Sequence, residues 1–145
     1  MNAADKAKDL EITSKIATIV NLFKQYFPSA KADLKPWHND PYTLQLVDPD
    51  SIDIGFHFPG WSPKLQSRSI LVQIRFHRGQ EDNQHHFIGI DTAGFNHNGE
   101  AWRLSTVDNW QIEGRFIPAT DTHEKLKLFC LGVFQLFHPS FPSQC

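Results

Sequence analysis

Between residues 12 and 27 the apolar side chains fall at steps of three and four. Ile12, Ile16, Ile19, Val20, Phe23 and Phe27 share one face of a helix, with Lys15, Asn21 and Lys24 mostly opposite. The pattern predicts a helix over residues 4–27. Pro28 stops it, because proline lacks the N–H for the next backbone bond and biases Phe27 away from helical angles. Residues 29–41 carry Pro36, Asn39, Asp40 and Pro41 and read as a loop.

From residue 42 to residue 117 the period becomes two. Residues 42–47 are a possible first strand, followed by turn chemistry at Asp48, Pro49, Asp50 and Ser51. Ile52, Ile54, Phe56 and Phe58 alternate with Asp53, Gly55 and His57, as in a strand with one buried face. Residues 59–63, Pro-Gly-Trp-Ser-Pro, read as a stiff connecting loop. Ile70, Val72, Ile74 and Phe76 alternate with Leu71, Gln73, Arg75 and His77 in a second strand. Residues 78–84 are polar or glycine and read as a solvent loop, and a strand resumes over residues 86–92. Asn98 and Gly99 form the pair that tolerates the positive φ of a tight hairpin, with strands at 102–106 and 111–117 beyond it. A last helix is predicted over residues 121–137. Asp121 is placed to cap it, Glu124 follows three residues on, and Pro139 lies past its end, opening a tail of residues 139–145.

Helix, antiparallel strands, helix is the order of an α+β fold, with a sheet of about four to six strands and the helices packed on one of its faces. Its 145 residues, 40% hydrophobic and 21% charged, suit one domain of residues 1–145 and exclude a disordered chain. Twelve Phe and four Trp are the one compositional excess and predict an aromatic-rich core. The formal charge of −2 weighs against a nucleic-acid partner, since neutralising phosphates supplies much of such affinity. Cys130 lies in an apolar run and Cys145 is the last residue, so both read as free thiols, favouring a reducing, cytoplasmic setting. The apolar run 126–137 is interrupted by Lys127, Gly132 and Gln135 and falls well short of the roughly 20 residues that span a bilayer, so no membrane partner is expected. The first nine residues carry charges of both signs and do not read as a signal peptide.

The helix 121–137 is apolar on more than one side. Leu126, Phe129, Cys130, Val133, Phe134 and Phe137 form a stripe that Leu128, Leu131 and Leu136 widen. Either it lies between the sheet and the first helix, or its outer stripe meets a second copy of the chain.

The face of the sheet turned away from the helices carries the polar alternates. All five arginines lie between residues 68 and 115, among six carboxylates. That face is either a solvated surface laced by ion pairs or a site for a small anionic ligand or a partner. The candidate binding residues are His57, Trp61, Arg75, His77, Asp91 and Arg103. His57 beside Arg75 or Asp91 would have the chemistry of a general acid or base. Trp61, between two prolines, could serve as a contact hot spot, and Trp37 and Trp110 lie in similar contexts. His77, His85 and His86 flank Glu81 and Asp82, but their spacing matches no metal motif, so neither a metal nor a cofactor is expected. Ser62 has no nucleophile-elbow context, no glycine-rich phosphate loop occurs, and Asp48, Asp50 and Asp53 read as a turn rather than a calcium loop.

These features point to a small cytoplasmic, non-catalytic binding or regulatory module that acts as a homodimer through helix or sheet-edge contacts. The alternatives are a small-molecule enzyme or metal-assisted hydrolase using His57, Arg75 and Asp91, and a single-stranded nucleic-acid binder using the aromatics and arginines of the sheet.

Overall fold

A computed structural model describes residues 1–37, 47–79 and 85–137. The expected single helix over residues 4–27 is two pieces, α1 (Ala3–Lys6) and α2 (Leu10–Tyr26). The break has a local cause. The Asp9 carboxylate accepts the Ile12 N–H at 2.8 Å, so Asp9 caps a new helix instead of continuing the old one.

Six strands follow: β1 (Lys31–Asp33), β2 (Ser51–Ser62), β3 (Ser67–Arg78), β4 (His85–Asn96), β5 (Gly99–Ser105) and β6 (Ile112–Gly114). They form one sheet in chain order, each antiparallel to its neighbour. The chain ends, as far as it is described, in α3 (Thr120–Phe137). The fold is α+β, with the N-terminal helices before the sheet and α3 after it.

Several boundaries differ from the expected ones. β1 lies inside the stretch read as loop, and its three residues are too few to show a period. Of the possible strand at 42–47, residues 42–46 lie outside the described residues, and Val47 is not in a strand. Residues 59–62 belong to β2 rather than to a loop. Pro59 is accommodated because the ladder to β1 ends at His57 and the pairing with β3 shifts between His57 and Ser62. Residues 80–84 and the tail 139–145 lie outside the described residues. The hairpin at Asn98 and Gly99 stands, with Gly99 at φ +110°.

Alternation puts Ile52, Ile54, Phe56 and Phe58 of β2 and Ile70, Val72 and Ile74 of β3 on one buried face. Against them pack Ile16, Ile19 and Phe23 of α2 and Leu126, Phe129, Cys130 and Val133 of α3. Phe23 joins the layers: its ring stacks on Phe56 at 3.9 Å and meets Phe129 edge-on at 5.1 Å. A second aromatic group, Phe76, Phe87, Phe134 and Phe137, closes one end, with Trp110 tilted against Phe134. On β5, Trp102 is fully buried and donates its indole N–H to the Leu65 carbonyl at 2.7 Å. Its ring lies across Gly94, where any side chain would collide with it.

α3 is therefore covered mostly by its own chain. Leu128 is its exposed apolar residue, and Phe134, Leu136 and Phe137 pack against the core. The broad apolar surface of this helix is explained by its packing against both the sheet and α2, which itself rests on β2 through Phe23 and Phe56.

Cys130 is fully buried in this layer. Burial pushes its thiol up to about 12; the neighbouring Thr92 hydroxyl works the other way, and the Asp91 charge adds to the rise. The folded chain thus keeps a proton that the unfolded chain releases near the ordinary thiol value of 9.0. The stability associated with the neutral thiol is complete below that value and is lost as pH rises towards about 12. Urea unfolding measured at a series of alkaline pH values should show a steeper fall for the wild type than for Cys130→Ala. Equal slopes would remove Cys130 from the alkaline response.

Candidate functional site

The face of the sheet away from the helices is built by the other half of the alternation. The register places His57 opposite Ser69 and Ser69 opposite Phe95; Gly55, Leu71, Ala93 and Arg103 form the next row. Asp53, Gln73, Asp91 and Ser105 form a third row, and Ser51, Arg75 and Gly89 a fourth.

Part of this face is closed. Asp53, expected on an open polar surface, is fully buried. Its carboxylate accepts from Trp37 Nε1 at 2.6 Å, from the Ser51 hydroxyl at 2.7 Å and from the Met1 ammonium at 2.9 Å. Trp37 is drawn there by the chain that follows β1. Pro36 lies over Gly55, where a Cβ would sit 3.3 Å from the proline ring, and Trp37 exchanges hydrogen bonds with the Asn2 side chain at 2.9 and 3.1 Å. Residues 34–37 are thus a strap across β2.

The β4–β5 half of the face is open. A shallow depression of about 480 Å³ there is lined by Arg75, Ile88, Asp91, Arg103, Ser105, Val107 and Asp108. Arg75 Nη1 meets Asp91 Oδ2 at 2.7 Å, and Nη2 lies 3.5 Å from Asp48. Asp91 is almost entirely buried, and this guanidinium is the cation that meets its carboxylate. Arg103 is held more loosely by Glu100 at 3.0 Å, in the open. Ile88 and Val107 stand beside the arginines, 46% and 52% exposed.

Three of the six candidate residues, Arg75, Asp91 and Arg103, therefore share one depression. His57 does not join them. It stands six positions along β2 from the row of Arg75, about 20 Å along an extended strand. Its partners are Asp33 Oδ2, 3.0 Å from Nε2, and Ser69 Oγ, 2.9 Å from Nδ1. His77 is exposed at the far end of β3, opposite His86. Trp61 lies near the β2–β3 turn, in a different groove. Among the described residues no group of three His, Cys, Asp or Glu side chains converges as a metal site would need, and Glu81 and Asp82 lie outside them.

Asp33, Ser69, Ile88, Val107 and Asp108 are marked by no pattern used above, and Asp48, read there only as a turn residue, also faces Arg75. Ser69 had a usable signal: counting back from Ile70 puts it on the same face as His57. Asp33 had none, because β1 is too short to announce itself.

A third concavity, a cleft of about 710 Å³ between the N-terminal segment and the sheet, has an aromatic floor of Phe76, Phe87 and Phe137. Three of its four lysine and arginine side chains are engaged: Lys6 with the Pro49 carbonyl at 2.7 Å, Lys15 with Glu11 at 3.4 Å, and Arg78 with Asp50 at 3.7 Å.

A family model described as a domain of unknown function matches residues 4–139. The chain belongs to that family. No curated protein and no solved structure matches it. Among the described residues of this family member, no helix is long and apolar enough to cross a membrane.

The two arginines predict a graded response. Arg75→Ala leaves Asp91 buried without its cation and should cost about 2 kcal/mol, below the range for a fully buried pair because Arg75 is partly exposed. Arg103→Ala removes an exposed pair and should cost about 0.5 kcal/mol or less. Chemical denaturation of the two variants checks the order; similar losses would contradict the burial argument.

Proposed function

We propose that this chain, as one domain of residues 1–145, is a cytoplasmic, non-catalytic binding module that works as a homodimer. The copies meet through the β4–β5 end of the open sheet face. The observation that carries this reading is the composition of that depression. Arg75 and Arg103 line it together with Asp91 and Asp108, and Ile88 and Val107 are exposed there. A twofold interface presents the same patch twice, so it needs charges of both signs and an apolar centre that can face itself. Arginine beside exposed aliphatic surface is also the composition favoured at interface centres. The cytoplasmic assignment is supported by Cys130, a buried thiol with no bridge.

Light scattering after size-exclusion chromatography, at micromolar concentration, should give twice the 16.6 kDa chain mass. Arg103→Glu should shift the protein to the monomer, and adding Asp108→Arg should restore the dimer. A monomeric wild type across that concentration range would overturn the reading.

A second reading rests on the hydrogen-bonded chain Asp33–His57–Ser69. It has the connectivity of a hydrolytic triad, with the imidazole reversed so that Nδ1 faces the serine. Ser69 sits in a strand paired on both sides, which leaves no obvious pair of backbone N–H groups to stabilise an oxyanion. Hydrolysis of a nitrophenyl ester decides it: a rate lost in Ser69→Ala supports this chemistry, and equal rates for the two proteins reject it.

A further inference from the structure

The groove beside the β2–β3 turn shares no residue with the sheet-face depression. It has a volume of about 380 Å³, within the range of small-ligand sites. Its walls are apolar and largely rigid: Tyr26, Pro28, Phe58, Pro59 and Trp61. Trp61 is 52% exposed, which makes it the exposed tryptophan of a chain whose Trp102 is buried and whose Trp37 is tied to Asp53. Standing exposed between Pro59 and Pro63, it offers a flat indole surface on a stretch of backbone that the two prolines stiffen.

The charged side chains that line the groove are both cations. No carboxylate lines it among the described residues, whereas Lys64 and Lys125 do. Lys64 is paired with Asp121 at 3.4 Å. Lys125, the Trp61 indole N–H and the Tyr26 hydroxyl have no partner among the described residues. Thr122, in the first turn of α3, also lines the groove, and the N-terminal end of that helix adds positive potential. Apolar rings with unpartnered donors and a free ammonium complement a ligand with a flat ring and an anionic acceptor.

We infer that this groove is a binding site for a small aromatic carboxylate, its ring on Trp61 and its anion on Lys125 and the neighbouring donors. The site is independent of the proposed dimer contact. Naphthoate is the probe, titrated into the full chain and followed by calorimetry and by proton–nitrogen correlation spectra. The Trp61 indole signal is assigned by its disappearance in Trp61→Phe. Naphthoate should move that signal to saturation. Trp61→Ala and Lys125→Met should each weaken binding by about tenfold. Naphthalenemethanol, which keeps the ring and lacks the charge, should bind more weakly by a similar factor, and so should decahydronaphthoate, which keeps the charge and lacks the flat ring. Both altered positions are solvent-facing, and unchanged backbone spectra of the variants confirm that they fold. An indole signal that stays in place at saturation, equal binding of the neutral alcohol, or undiminished binding by Lys125→Met would overturn the inference. Arg103→Glu should bind naphthoate as the wild type does, which separates failure of this site from failure of the dimer.

Discussion

A carboxylate buried on the outer face of the sheet sets the terms for much of what surrounds it. Removing the Asp53 charge from water costs several kcal/mol unless its oxygens are fully engaged. Here they are engaged by an indole, a hydroxyl and an ammonium, from three separate parts of the chain. Satisfying that one group brings the N-terminal residues and the segment after β1 onto β2. It also divides the face. The β2 half lies under the strap of residues 34–37, and the β4–β5 half stays open to solvent with its arginines.

The two ion pairs of the open half differ in a way that separates structure from function. Arg75 is committed to Asp91, whose burial makes the pair part of the fold. Arg103 and Glu100 are both well exposed, so their pairing is weak and exchangeable for contacts with another molecule. The side chains that position the depression are therefore not the ones freest to bind through it. A similar split holds near the β2–β3 turn, where Lys64 is paired with Asp121 and Lys125 is left for contacts outside the chain.

The helical and strand periods carried most of the architecture. Strands two, three and four, the Asn98–Gly99 turn and the extent of α3 follow from alternation and punctuation, although α3 starts at Thr120, so Asp121 lies in its first turn and takes Lys64 instead of capping it. The parts that did not show were short or satisfied by distant partners. β1 has three residues, and its place beside β2 comes from pairing with Gly55, Phe56 and His57 rather than from any pattern of its own. The restart of the helix at Asp9 was encoded locally, but the apolar face continues across the break and hides it. For the site, alternation put Arg75, Asp91 and Arg103 on one face correctly. It could not give the distance along the strands that parts His57 from them, because that depends on a register set at the Pro63–Gln66 turn. Nor could it show that Asp53 is buried, since its partners lie up to 52 residues away.

The two edges of the sheet end in strands of three residues each, β1 and β6. On the β1 side Asn2 bridges Asp53 where β1 itself has stopped, and on the β6 side Phe116 donates to the Ala101 carbonyl at 3.1 Å. A long bare edge is a template on which a further strand can grow, from the same protein or another. Edges this brief and this well covered give little purchase to such growth.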